Sequence, residues 1–282
     1  MPPSRTLLIT GCSSGIGASA ARALRARGWR VFASARKAED VVRLAAEGFE
    51  AVRLDLDDSS SIQAAVAEVL ARTGGTLDAL FNNGAWGLPG AVEDLTRDAL
   101  RAQFETALFG WVELTNLIIP IMRRQGAGRI VQCSSVLGYA AFPYRGAYNA
   151  AKFALEGITD TLRMELSGTG IHVSLIEPGP ISTRFRANAL TAFQRWIRIE
   201  GSAHEAQYRR QLERLTKEGP AAPFTLPPEA VVERLIHALE SPRPKPRYPV
   251  TVPAVAFYWL KRILPIRTMD RLLIAASGGG KR

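Results

Sequence analysis

The sequence predicts an α/β fold: a doubly wound, mainly parallel sheet of about seven strands, with helices on both faces and a helical extension toward the C-terminus. Three observations predict it. Short apolar runs alternate with helical patterns through the first two-thirds of the chain. The first apolar run passes through a glycine-rich turn straight into a helix. The residues that could do chemistry fall at the carboxyl ends of the runs or just beyond, the edge where open parallel sheets bind ligands. The chain has 282 residues, 47% of them hydrophobic, enough for one large core and too apolar for disorder to dominate.

Thr6 to Thr10 (TLLIT) reads as the first strand, buried on both sides. It enters Gly11-Cys-Ser-Ser-Gly15-Ile-Gly17 and an Ala-rich helix over Ala18 to Arg27. Strand, glycine turn and helix together make a phosphate site. Gly11 permits the turn, Gly15 admits a pyrophosphate close to the backbone, and Gly17 lets helix and strand pack closely. Arg30 to Ala35 is the second strand. Arg36 and Lys37 follow it, where a cofactor without a 2′-phosphate would be met by an acid, so two cations there suit a 2′-phosphate. Glu50 to Leu54 is the third strand, ending in Asp55-Leu56-Asp57. Ser59 then caps a helix to about Arg72. Leu77 to Phe81 is the fourth strand and leads into Asn82-Asn83-Gly84-Ala85, a set able to bind a ligand or simply to turn.

A long helix over Arg97 to Arg124 follows, with Phe104, Ala107, Leu108, Trp111, Leu114 and Ile118 as its apolar stripe. Arg129 to Cys133 is the fifth strand and delivers Ser134 and Ser135. The helix after Arg145 carries Tyr148 and Lys152, four apart and so on one face. A phenol beside an ammonium is an acid/base group, because a nearby cation favours the phenolate. Ile171 to Ile176 is the sixth strand, ending in Glu177-Pro178-Gly179-Pro-Ile181-Ser-Thr183. Beyond it, Arg184 to Lys217 mixes aromatic and basic residues and reads as a helix pair. Pro223, Pro227 and Pro228 precede a helix over Glu229 to Glu240, and a seventh strand lies near Arg247 to Val252. The stretch from Val255 to Ala276 is apolar with interspersed Lys and Arg. It reads as helix broken at Pro265, with Phe257, Trp259, Leu260, Ile263 and Leu264 as its apolar contacts. Gly278 to Lys281 reads as a loose tail.

The formal charge of +10 suggests an anionic partner: a phosphorylated cofactor, a membrane surface or nucleic acid. The scattered cations and the lack of a recognised motif speak against nucleic acid. Two cysteines and three histidines lack metal-ligand spacing, so neither a metal site nor a structural disulfide is expected, in keeping with a reducing compartment. The N-terminus does not read as a signal peptide, and the longest apolar run, Pro249 to Leu260, is short of the ~20 residues a membrane helix takes.

With Gly11-x-x-x-Gly15-x-Gly17, Asn82-Asn83-Gly84, Ser135, Tyr148-x-x-x-Lys152 and Pro178-Gly179-x-x-x-Thr183 in order, the chain resembles the short-chain dehydrogenase/reductase family over about residues 5 to 185. It looks most like the 17β-hydroxysteroid and retinol dehydrogenase branch. The resemblance implies a Rossmann-type fold and roles for matching positions. Tyr148 would be the general acid or base, Lys152 would hold the nicotinamide ribose and ease ionisation of Tyr148, and Ser135 would orient the substrate oxygen. Gly11, Ser13, Ser14, Gly15, Ile16 and Gly17 would hold pyrophosphate and ribose. Arg36 would bind a 2′-phosphate, Asp55 and Leu56 would contact adenine, and Asn82 and Gly84 would line the ribose. Pro178, Gly179, Ile181 and Thr183 would face the nicotinamide. Two positions depart from the family pattern. Asn83-Gly84-Ala85 stands where the family usually reads Asn-Ala-Gly, and Ala107 stands where most members carry an Asn that holds a water linking the lysine to solvent.

The expectation is an NADP(H)-dependent oxidoreductase acting on the carbonyl or alcohol of an apolar, steroid-, retinoid- or lipid-like molecule. The alternative, which Ala107 motivates, is an NADP(H)-binding sensor or scaffold with little catalysis. Residues 1–252 are expected to form one domain with a substrate-binding insertion at about 184–226, and 253–282 a basic apolar extension. A homo-oligomer, dimer or tetramer, is expected in the cytoplasm. For the C-terminus two fates stand: packing over the pocket or a partner subunit, or peripheral contact with an anionic membrane.

Overall fold

The computed structural model describes residues 4–216, 219 and 222–277. Seven strands form one sheet in the order β3-β2-β1-β4-β5-β6-β7, and every pairing is parallel. The strands are β1 (Thr6–Ile9), β2 (Arg30–Ala35), β3 (Glu50–Arg53), β4 (Ala79–Asn82), β5 (Gly128–Cys133), β6 (Ile171–Pro178) and β7 (Arg247–Val250). From β1 the chain steps outward through β2 and β3, then returns to the other side of β1 and continues from β4 to β7. The connections leaving β1 and β4 therefore diverge, and a crevice opens between their carboxyl ends.

Helices α1 (Gly15–Ala26), α2 (Ala38–Ala46), α3 (Ser59–Thr73), α4 (Arg97–Phe104), α5 (Gly110–Gln125), α6 (Gly146–Glu165) and α9 (Glu229–Glu240) cover the sheet. Because both faces are covered, the central strands read as continuous apolar runs: Leu7, Leu8, Ile9, Phe32 and Phe81 are fully buried. Helices α7 (Phe185–Trp196) and α8 (Glu205–Thr216) fold over the segment from Leu88 to Ala99, with Phe193 and Tyr208 buried between them. The elements read from sequence are present, with α7 and α8 as the expected helix pair and α1 beginning earlier, at Gly15.

Several details differ from expectation. Asp58, not Ser59, caps α3, and its carboxylate accepts the Ser60 N–H at 2.9 Å. β4 extends to Asn82, which makes that residue part of the strand rather than of the turn. The expected continuous helix from Arg97 is interrupted by a π-helical turn over Glu105–Phe109. Gly110 follows it and lies against the chain at Leu56, where a Cβ would stand 2.1 Å from the Leu56 carbonyl oxygen. The wider turn lets Thr106, Ala107 and Leu108 as well as Trp111 face inward. Arg97–Gln125 as a whole has the length and apolarity to cross a membrane, yet half of its most apolar window is buried within the fold.

The C-terminus forms α10 (Val252–Ile263) and α11 (Ile266–Ala276), broken at Pro265 as expected. Phe257, Leu260 and Leu264 pack with Tyr139, Ala140, Met269 and Leu273. Trp259 and Ile263, expected among these contacts, are instead 57% and 74% exposed. They are four residues apart on the outward side of α10, while 257, 260 and 264 share the inward side. The Gly278 to Lys281 tail lies outside the described residues.

Candidate active site

The loop between β1 and α1 is folded tightly against its surroundings. Gly11 adopts φ +72, and a Cβ there would lie 2.6 Å from the Cα of Gly84 across the crevice. At Gly17 a Cβ would meet the Gly11 carbonyl oxygen at 2.3 Å, so only glycine lets α1 close down on the strand. The Cys12 N–H donates to Ser34 on β2 at 2.8 Å, and Arg43 on α2 donates to the Ser13 carbonyl at 2.9 Å. Ser14 stands at the N-cap in extended backbone and its hydroxyl makes no capping bond. Gly15, Ile16 and the first turn of α1 thus present backbone N–H groups at a helix N-terminus, a ready anion site. Arg43 was not singled out from the sequence; nothing local distinguishes it from the other helix arginines.

Arg36 is exposed directly beyond β2. Its neighbour Lys37 pairs with Glu39 at 3.3 Å, while no ion pair engages Arg36 among the described residues. Beyond β3, Leu56 is buried and Asp55 half-buried. The Asp57 carboxylate accepts the Thr106 hydroxyl; burial raises its pKa, against which Thr106 and the charge of Arg36 work.

At the end of β4 two amides divide the work. The Asn82 side chain is fully buried and donates to Thr115 on α5 at 3.0 Å, turned away from the crevice because Asn82 is still in the strand. Only its main chain is left to line a ribose. Asn83 ties β4 to β1, donating to the Thr10 carbonyl at 3.0 Å, and the Thr10 hydroxyl accepts the N–H groups of Asn83 and Gly84 at 2.8 and 2.9 Å. The Gly84 carbonyl accepts the indole N–H of Trp111 at 2.9 Å.

Ser135 follows β5 and Tyr148 and Lys152 lie on α6; all three are buried. The Ser135 hydroxyl makes a long contact of 3.4 Å to the Pro178 carbonyl and accepts the Leu137 N–H at 3.1 Å. Burial pushes the Tyr148 phenol well above its ordinary pKa; Cys133 adds to the rise, and hydrogen bonding with Ser135 draws it partly back. Lys152 does not offset that rise as the one-face spacing suggested. Its ammonium donates to the Cys133 carbonyl at 2.9 Å and stands 4.0 Å over the Trp111 ring, against 5.7 Å for the ring of Tyr148. Burial lowers the Lys152 pKa to about 8, opposed by Cys133 and Glu156. Ala107, one turn before Trp111, is fully buried.

The β6 end completes the edge. Thr183 lies against the glycine loop: a Cβ at Gly15 would touch it at 3.1 Å. Gly179 donates to Val250 at 2.9 Å, and Ile181 makes a parallel bridge with Leu226. Phe185, at the start of α7, sets its ring edge-on to Tyr148 at 5.4 Å, and Gly87 leaves the room it occupies. Behind this edge, Arg247 is bonded to Glu156, Asp160 at 2.5 Å and Glu177 at 2.6 Å. Glu177 is fully buried; burial and then Glu156 push its pKa up to about 8, with Arg247 opposing. Every sequence-predicted site residue therefore lies along one sheet edge, with the Asn82 side chain turned inward. Trp111, Phe185 and the Glu156–Glu177–Arg247 cluster are additions that only the fold reveals.

Residues 5–192 match the family model for short chain dehydrogenase. Uncharacterized oxidoreductase YbbO of Escherichia coli (strain K12) is 45% identical over 269 residues, covering 95% of this chain and 94% of that protein. Human 17-beta-hydroxysteroid dehydrogenase type 1 is 33% identical over 278 residues, 93% of this chain and 80% of that protein. Among solved structures, a variant of actinorhodin polyketide ketoreductase with NADPH aligns with a TM-score of 0.70 at 30% identity, covering 84% of this chain and 91% of that one. A short chain dehydrogenase/reductase from Burkholderia phymatum in complex with NAD aligns with a TM-score of 0.76 at 26% identity, covering 96% and 95%. The chain belongs to the short-chain dehydrogenase family and is an oxidoreductase of that type.

Proposed function

We propose that this short-chain dehydrogenase is an NADP(H)-dependent enzyme that interconverts a carbonyl and an alcohol on an apolar substrate, with Tyr148 as its acid/base. The observation that carries the reading is convergence. Ser135, Tyr148 and Lys152 come from two elements to the same sheet edge that holds the glycine loop. The residues fit a dinucleotide, since the loop is a cradle that side chains at Gly11 or Gly17 would fill. Gly11 to Gly17 would hold the pyrophosphate, Asp55 and Leu56 the adenine, and Ile181 and Thr183 the nicotinamide end. Arg36, exposed and without an ion pair among the described residues, suits a 2′-phosphate. One relative's structure carries NADPH and another NAD, so the preference for the phosphorylated form rests on Arg36.

Bound there, the cofactor would supply or accept the hydride. The chain's own part is proton chemistry and placement. Ser135 would release its long contact with Pro178 to hold the substrate oxygen. Tyr148 would give its proton to that oxygen in reduction and take it in oxidation. The phenol is protonated at neutral pH and burial raises its pKa further, so Tyr148 stands ready as the acid and needs a nearby cation before it can serve as the base. Lys152 would favour the phenolate once its ammonium turns from Cys133 toward the site. Phe185, edge-on to Tyr148, gives the substrate side an apolar wall, which supports a lipid-like molecule. Homo-oligomerisation, expected from the resemblance, would use apolar side chains exposed on the π-helical turn and on α6, such as Phe109 and Ile158.

The test is NADPH consumption across aldehydes, ketosteroids, retinal and quinones, with Tyr148→Phe as the paired variant. Turnover by wild type and its near-complete loss in a folded, cofactor-binding Tyr148→Phe protein is expected. The sensor reading is favoured by one observation: Ala107 is buried and brings no polar group toward Lys152. NADPH binding without turnover of any substrate class would establish it instead.

A further inference from the structure

Helices α10 and α11 have two unlike sides. The inward side belongs to the fold. Phe142 and Phe257 meet edge to face at 5.5 Å, Tyr139 and Tyr258 do the same at 5.8 Å, and the Tyr139 hydroxyl donates to the Ala254 carbonyl at 2.8 Å. The outward side of α10 carries Val252, Val255, Trp259 and Ile263, at spacings of three, four and four, and they are 62%, 45%, 57% and 74% exposed. Ile266, at the start of α11, is 80% exposed. Among the described residues this is a largely uncovered apolar helical stripe, with the Tyr258 ring edge-on to Trp259 at 5.3 Å.

The charge beside the stripe points to what covers it. Lys261, Arg262, Arg267 and Arg271 are exposed on the same two helices, against a single acid, Asp270. Arg262 leans over the Tyr258 ring at 3.8 Å and Lys261 over Phe153 at 4.6 Å. An apolar stripe with a tryptophan, flanked by cations, is complementary to the headgroup region of an anionic bilayer. A second copy of the chain is a poor match, because pairing this face with itself would bring like charges together. A spanning helix is excluded by length, since α10 and α11 have 12 and 11 residues on either side of Pro265.

We propose that α10 and α11 dock the protein on an anionic lipid surface, with Trp259, Ile263 and Ile266 at the acyl boundary and Arg262, Arg267 and Arg271 among the headgroups. The inward side of these helices covers Tyr139 and Phe142, in the segment that joins Ser135 to Tyr148. Docking therefore places the substrate side of the site next to the bilayer. That consequence rests on the oxidoreductase reading; the docking itself does not.

The experiment is co-sedimentation of the full chain with vesicles of phosphatidylcholine alone or mixed with phosphatidylglycerol, at low and high salt. Binding to the anionic vesicles is expected to be about tenfold stronger than to the neutral ones and to weaken in high salt. Trp259→Glu with Ile263→Glu should abolish it. Arg262→Gln with Arg267→Gln should keep only weak binding that no longer distinguishes the two lipids. Both variants should retain wild-type circular dichroism and NADPH affinity, so their failure would not be a folding failure. Absence of binding to anionic vesicles at low salt overturns the proposal. So does undiminished binding by the double-Glu variant, or its conversion of an oligomer to a monomer on size-exclusion chromatography, which would make the stripe a contact between copies.

Discussion

Replacing Trp111 tests how this site holds its lysine. Lys152 is fully buried, and its ammonium has one hydrogen-bond acceptor, the Cys133 carbonyl, plus the Trp111 ring at 4.0 Å. A desolvated cation over an indole face is stabilised by about 2 kcal/mol. Trp111→Leu removes that support from the charged form alone, so the Lys152 pKa moves down. At 1.36 kcal/mol per unit the shift is about 1.5 units, from about 8 to roughly 6.5. A reaction that needs the ammonium loses rate as pH rises through this pKa, so the alkaline loss should begin that much earlier. At pH 7.5 the charged fraction falls about eightfold. The assay is kcat/KM against pH for wild type, Trp111→Leu and Trp111→Phe. Phe and Leu both vacate part of the indole volume and lose the bond to Gly84, but Phe keeps an aromatic face. The Phe profile should lie near wild type and the Leu profile about a unit or more below it. Superimposable Phe and Leu profiles in folded proteins would refute the role assigned to the ring.

Three further outcomes are expected. NADPH should bind at least tenfold more tightly than NADH, about 1.4 kcal/mol, and Arg36→Leu should erase that preference without weakening NADH; equal dissociation constants in wild type would remove Arg36 from the role. Ala107→Asn should raise kcat and leave the NADPH dissociation constant unchanged, by giving a water near Lys152 a partner; an unchanged kcat together with a stability loss of about 1–3 kcal/mol would mean a buried, unsatisfied amide and no missing relay. Glu177 is held protonated to about pH 8 by burial and by Glu156, against the pull of Arg247, with Asp160, Tyr139 and Arg262 also near it. Its folded pKa is raised, so its contribution to stability is full below about 4.5 and is lost as pH rises through about 8. Glu177→Gln cannot titrate, and thermal melts should show its Tm falling less than wild type between pH values of about 6 and 9.

The sequence by itself determined the sheet, the helices that cover it and the edge where the chemistry sits. Those signals are local. A strand buried on both faces must be a continuous apolar run, a glycine turn before a helix must bind close to something, and residues four apart on α6 must share a face. The break at Pro265 was legible for the same reason, since a missing N–H acts where it stands. What the fold alone decided depends on contacts between distant segments. Asn82 faces Thr115 because β4 runs one residue further than its apolar pattern, and strand alternation then turns the side chain inward. The Lys152 ammonium meets Cys133 and Trp111 more closely than Tyr148 because β5, α5 and α6 bring these three distant segments together. No spacing in the sequence encodes that approach. The grouping of Arg247 with Glu156 and Glu177 joins β7, α6 and β6 at separations of 91 and 70 residues. Trp259 and Ile263 read from the sequence only as apolar contacts of the helix, and the fold leaves them exposed, because hydrophobicity says that a side chain avoids water and only the packed structure says whether anything is there to cover it.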